Sequence, residues 1–166
     1  RKVHPPTCED CSNFLIVEAD KDSNLHIIGV DCLAGQILCE YYLSNPADKN
    51  NRDYTWEKQR SHSSAPAFEE NAQISLKEQD GIYSAVYPKA NSTDGKPVFV
   101  YRAVVCNEKG NVIYENKTVP SYYLYQPEDI VTTVLGQLKN GRYTVKIFAE
   151  NCFGMKSEPI EKEIII

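Results

Sequence analysis

The sequence predicts an all-β chain in which a seven-stranded sandwich follows a small antiparallel β-meander. Three observations carry that expectation. Short apolar runs of strand length recur along the whole chain, separated by Gly, Pro, Asn and Asp punctuation. No segment supports a helix longer than two turns. Tyr is abundant, at 11 of 166 residues, whereas Met and Trp occur once each, a balance that suits half-buried strand surfaces.

Residues 1–12 read as irregular, because His4 is followed by Pro5 and Pro6 and the next stretch is short and polar. The meander comes next. Phe14 to Ala19 is a largely apolar run, Asp20 to Asn24 supplies a polar turn, and Leu25 to Val30 makes a second strand. Asp31 to Gly35 connects tightly to a third strand, Gln36 to Leu43. Three strands alone are marginal in water, so another element is expected to cover this sheet. Residues 44–65 are polar and turn-rich and read as a linker. Within it, Tyr54 to Arg60 has the makings of a short helix, and Trp56 is expected to anchor one module against the next.

From Pro66 onward the expected strands are Ala72–Lys77, Gly81–Tyr87, Val98–Cys106, Asn111–Asn116, Asp129–Leu135, Arg142–Glu150 and Glu158–Ile166. Regular turns between seven short strands predict a sandwich rather than a barrel. Asn107 to Asn111 is a hairpin turn in which Gly110 supplies a positive φ. The domain boundaries that follow are 1–43 for the meander, 44–65 for the linker and 66–166 for the sandwich.

Charge and composition exclude several function classes. The net charge is -5, and Lys and Arg are scattered, so the clustered basic footprint of a nucleic-acid binder is missing. No apolar run approaches the roughly 20 residues that a membrane-spanning helix needs. The chain begins at Arg1 rather than Met, so the expectation is a mature or excised piece with a partner domain upstream.

Little in the sequence suggests catalysis. There is no Gly-x-Ser-x-Gly, no glycine-rich phosphate loop and no ordered Ser, His and Asp set. Acidic residues such as Glu69, Glu70, Glu128, Asp129 and Glu158 read as solvated surface. Cys8 and Cys11, spaced Cys-x-x-Cys, are the one pair with metal or redox potential, with Cys32, Cys39 or His4 as further ligands. The spacing matches no zinc pattern, so ordinary thiols, a disulfide and a metal pair all stay open, in that order. Cys106 and Cys152 are not expected to bridge, since the ends of antiparallel strands place them at opposite poles. Asn91 and Asn116 head Asn-x-Ser/Thr sequons. Tyr114, Tyr122, Tyr123 and Tyr125 cluster in sequence and read either as core and rim packing or as an aromatic platform for a sugar or protein.

Gln137 to Asn151 contains a Leu, a turn with Gly141, and then Tyr143, Val145, Ile147, Ala149 and Asn151 at period two. This pattern resembles the corner and following strand of a fibronectin type III domain, an immunoglobulin-like sandwich. The resemblance implies that Tyr143 tucks into the corner with its hydroxyl bonded to upstream backbone. Val98 to Val105 resembles an inner strand of the same fold, with Tyr101, Ala103 and Val105 on one face. Tyr87 to Ala90 stands where that family usually carries a tryptophan, so the core is expected to repack around a smaller ring.

A narrower resemblance runs from Ala65 to Phe68, through Val119 to Tyr123, to Asn151 to Gly154. These stretches look like the module that follows the catalytic domain in some bacterial calcineurin-like metallophosphoesterases. The meander is similar to the last strands of that catalytic domain. The resemblance implies a non-catalytic, extracellular or cell-surface accessory module without a cofactor, whose partner is the upstream catalytic domain. The Asp, His and Asn segments that bind the metals in that family are missing here, and His4, His26 and His62 lie outside any such context. The alternative is a free-standing adhesive or carbohydrate-binding sandwich.

Overall fold

A computed structural model describes residues 13–51, 55–121 and 128–166. Ten strands and one short helix are found among them, and every sheet is antiparallel. The first sheet is a meander of β1 (Asn13–Ala19), β2 (Leu25–Asp31) and β3 (Gln36–Leu43), in that order. Asp20 closes the β1–β2 turn by accepting from the backbone N–H groups of Asp22 and Asn24. A bulge between Gly29 and Val30 shifts the β2–β3 register. Helix α1 (Trp56–Arg60) then leads toward the remaining strands.

Those strands form two sheets. β4 (Ser75–Gln79), β5 (Ile82–Pro88) and β8 (Ile130–Gly136) make one, ordered β4-β5-β8. β6 (Val100–Asn107), β7 (Val112–Thr118), β9 (Arg142–Glu150) and β10 (Ile160–Ile165) make the other, ordered β10-β9-β6-β7. Alternation decides which side chains meet between them. Tyr143, Val145, Ile147 and Ala149 of β9 and Tyr101, Ala103 and Val105 of β6 face Ala85 and Tyr87 of β5 and Val131 and Leu135 of β8 in one buried core. The fold is therefore all-β, with two sheets packed face to face and a third beside them.

Several strand ends differ from the sequence expectation, each for a local reason. β4 starts at Ser75, not Ala72, because the Ala72 N–H closes a turn on the Glu69 carbonyl. β10 starts after Pro159, which has no N–H to give to a ladder. β7 runs on to Thr118, since its register with β6 continues as far as Tyr101.

Several polar groups inside the core have partners. The Tyr143 hydroxyl donates to the Lys139 carbonyl at 2.8 Å, the bond that the corner pattern expects. The Tyr87 hydroxyl shares a 2.7 Å hydrogen bond with the Thr133 hydroxyl, and Thr133 Oγ1 in turn bonds Thr118 Oγ1. The Ala90 N–H donates to the Tyr101 hydroxyl at 2.8 Å. Tyr87 and Tyr101 meet edge to face at 5.4 Å, with Phe68 against both. These three rings pack together inside the sandwich.

Candidate functional site

The most densely bonded polar region lies where β3 meets one pole of the sandwich. Strands β6 and β9 are antiparallel, and Val100 pairs with Glu150, so the segment before β6 and the turn after β9 share that pole. β3 contacts both. Along β3, Glu40 and Tyr42 occupy one face, and Cys39 and Tyr41 occupy the other.

On the first face an ion chain crosses from the meander to the sandwich. His26 Nδ1 lies 3.1 Å from Glu18 and its Nε2 lies 3.0 Å from Glu40. Glu40 is 3.0 Å from the ammonium of Lys96, which is 3.4 Å from Asp94. Asp94 accepts from the Ser63 hydroxyl at 2.6 Å and from the Ser64 N–H. Ser63 also accepts from Asn151, which donates to the Ser64 carbonyl as well. Lys96 is only 5% exposed, so its charge is held by two carboxylates rather than by water.

The electrostatics follow that geometry. Burial pushes the Asp94 carboxyl up, but the bonds from Ser63, Ser64 and Lys96 and the Lys96 charge outweigh it and hold the group down to about 2. Burial likewise opposes ionisation of Glu40, and the hydrogen bonds from Lys96 and His26 reverse it, leaving the group below its ordinary value. Lys96 is raised, because Glu40 and Asp94 outweigh the cost of its burial.

On the second face the contacts are aromatic. Phe153, in the turn after β9, is 1% exposed and is held edge-on by Tyr41 at 5.6 Å and by Trp56 at 5.5 Å. That turn is set by Asn151, whose side-chain oxygen accepts from the N–H groups of Phe153 and Met155. The buried Gln59 of α1 completes the junction. Its amide accepts from the Tyr42 N–H and donates to the Tyr42 carbonyl, at 2.9 and 2.8 Å, as a neighbouring strand would.

This arrangement ties the meander to the sandwich. The Ser63 hydroxyl donates to Asp94 and accepts from Asn151. Both nitrogens of His26 are engaged by carboxylates, and its ring stacks on Tyr42 at 4.4 Å. Among the described residues, no group of three or more His, Cys, Asp or Glu side chains is placed to hold a metal ion.

The residues singled out in the sequence fall elsewhere. Cys8, Cys11, Tyr122, Tyr123 and Tyr125 lie outside the described residues. Tyr114 is half-buried on β7, packs against the core and sets its ring over Gly136, whose φ is +82°. Cys106 is buried and opposite Thr144 near the start of β9, whereas Cys152 follows the far end of that strand, which reaches roughly 20 Å from Thr144 to Glu150 at about 3.3 Å per residue. A cleft of about 360 Å³ beside this pole is lined by Gln36, Lys89, Tyr101, Thr118, Glu128 and their neighbours. Sequence reasoning missed the ion chain. Its signal was faint: a Lys between Gly95 and Pro97, in a turn where a solvated side chain is the ordinary expectation.

The second feature is strand β1, an edge strand whose seven residues are all exposed. Leu15 is 66% and Val17 57% exposed on the face shared with Gly29, and Phe14 and Ile16 are exposed on the other. No helix among the described residues is long and apolar enough to cross a membrane. Compared with known proteins, the chain matches no family model and no curated sequence.

Proposed function

We propose that this chain is a non-catalytic accessory module, the C-terminal part of an exported calcineurin-like metallophosphoesterase. The observation that carries the reading is β1. A strand apolar on both faces belongs inside a sheet that is covered on both sides. Here the run from Phe14 to Val17 is at the sheet edge with both faces in water. The occupant that suits it is a folded β-rich domain that pairs with the free edge of β1 and packs over its two faces, the role that the upstream catalytic domain would fill. The orders β4-β5-β8 and β10-β9-β6-β7, with the Tyr143 corner, support a fibronectin type III-like sandwich as the body of the module. The latch at β3 gives such a module a mechanical purpose, because it couples the sheet that meets the partner to the sandwich. Fold likeness by itself assigns no role, so the reading rests on the open strand.

The test is twofold. The reading frame that encodes this chain is expected to specify the paired-metal Asp, His and Asn ligands upstream of it, and the chain alone is expected to release no phosphate from aryl phosphates with Mn²⁺ or Fe²⁺. A frame without those ligands, or metal-dependent hydrolysis by the chain alone, overturns the proposal.

The alternative of a free-standing carbohydrate-binding protein is favoured by the cleft near Tyr101, whose size and mixed lining suit a sugar. Chemical-shift changes at Thr118 and Gln36 on adding soluble oligosaccharides would favour it; unchanged shifts would remove it.

A further inference from the structure

Of the side-chain types in the ion chain, only imidazole changes charge near neutral pH, and His26 stands at the centre of the meander. It lies on the middle strand, β2. Glu18 of β1 pairs opposite it on one side and Tyr42 of β3 on the other, so alternation places all three on one face together with Glu40. Its Nδ1 is 3.1 Å from Glu18 Oε2, and its Nε2 is 3.0 Å from Glu40 Oε1. Stacking on Tyr42, with the ring planes 12° apart, fixes the imidazole between them. Among the described residues, the charged and titratable groups that face it are Glu18 from β1, Glu40 and Tyr42 from β3, and Lys96 and Asp94 beyond Glu40. Asp20, from the β1–β2 turn, lines the same surface hollow, and His62, after α1, reaches the Tyr42 ring.

Hydrogen-bonding capacity sets the consequence. An imidazolium carries two N–H groups and can donate to both carboxylates at once. A neutral imidazole carries one, and its other nitrogen turns a lone pair toward a carboxylate. Glu18 and Glu40 are not equal competitors for the N–H that remains. Lys96 holds Glu40 Oε2 at 3.0 Å, and the Tyr42 hydroxyl donates to Glu40 Oε1 at 3.3 Å. Burial opposes ionisation of Glu40, but the bonds from Lys96 and His26 outweigh it, so this carboxylate stays an acceptor. The Glu18 side chain is 63% exposed and can turn into water. We propose that His26 is a proton-operated clamp on edge strand β1. Protonated, it ties Glu18 to Glu40 and, through Lys96, to the sandwich. When pH rises through the range in which imidazoles titrate, roughly 5 to 8, the proton leaves Nδ1, the Nε2–H stays on Glu40, and Glu18 lets go. β1 then loses this side-chain tie across the meander. The clamp works on the strand that the accessory-module reading gives to the catalytic partner, but its chemistry does not depend on that reading.

The test is a pH titration of the folded, isotope-labelled chain followed by NMR. At about pH 5.5 both ring nitrogens of His26 should show the shifts of protonated nitrogen, and at about pH 8 only Nε2 should. Protection factors of the β1 amides, corrected for the intrinsic effect of pH on exchange, should fall about two- to fivefold between those values, the scale of one exposed ion pair. Glu18→Gln alters an exposed side chain whose neutral amide can meet either form of the ring, so this variant should show no such fall. His62→Gln should keep it. An Nδ1–H tautomer at the higher pH overturns the proposal. So do β1 amides whose protection does not change with pH, a fall that persists in Glu18→Gln, and a fall that disappears in His62→Gln.

Discussion

Tyr143 and Lys96 show how differently single residues hold this molecule. The Tyr143 hydroxyl makes one neutral hydrogen bond, to the Lys139 carbonyl, under a ring that is itself buried. Tyr143→Phe should therefore lower unfolding free energy by about 1 kcal/mol in urea titrations, with the slope unchanged. Lys96 is a buried cation between two carboxylates, and Lys96→Met leaves both without their counter-charge. A loss of about 3 kcal/mol is expected in the same experiment, because stranded buried charge costs more than a lost neutral bond. Asp94 adds a pH signature. Its carboxyl in the folded chain is held at about 2, below the ordinary 3.8, so folding favours the ionised form. That contribution is complete above about pH 4 and is lost as pH falls toward 2. Stability measured across this window should drop less steeply in Asp94→Asn than in the unaltered chain, and identical slopes would show that Asp94 contributes nothing.

At the scale of elements, α1 and β1 make opposite use of exposed edges. The free edge of β3 at Tyr42 is closed by one side chain, Gln59, which supplies both a donor and an acceptor. Gln59→Leu should remove protection of the Tyr42 amide from hydrogen exchange while amides of β9 stay protected. β1 has no such cover on either face. Leu15→Lys together with Val17→Lys should change the stability of the isolated chain by less than about 0.5 kcal/mol per site, as exposed positions do. If the accessory-module reading holds, the same pair should release the module from its catalytic partner in a pull-down.

For the whole molecule, Phe153 is a point at which the meander and the sandwich depend on one another. It leaves the sandwich, fills the space against β3, and takes its second wall from Trp56. Trp56 is the single tryptophan of the chain, so its fluorescence reports this junction alone. In the unaltered chain, unfolding followed by that fluorescence should coincide with unfolding followed by far-ultraviolet circular dichroism. Phe153→Ala, with an expected cost of about 3–5 kcal/mol for a fully buried ring, should separate the two curves, the tryptophan signal changing first. Curves that remain superimposed would mean that the junction is no weaker than the sandwich core.

Local order was legible in the sequence because it depends on neighbours along the chain. Period-two alternation in Arg142 to Glu150 fixes which side chains face inward, the positive φ of Gly110 fixes a hairpin, and Pro159 fixes where a strand cannot begin. The Tyr143 corner is local too, reaching back only as far as Lys139. The junction was not legible for the opposite reason. Glu18, His26, Glu40, Ser63, Asp94, Lys96 and Asn151 are spread over most of the chain, and no spacing rule links them. Lys96 reads as a solvated turn residue until a strand from elsewhere brings Glu40 to it, and Tyr41 and Phe153 read as unrelated rings until β3 meets the turn after β9. Alternation and turn chemistry are properties of a few consecutive residues, and so the sequence by itself determined an all-β chain and the inward faces of its strands. Which poles, loops and edges touch is settled by long-range packing, and so only the tertiary structure decided where charge is buried, which rings meet and which strand is left open.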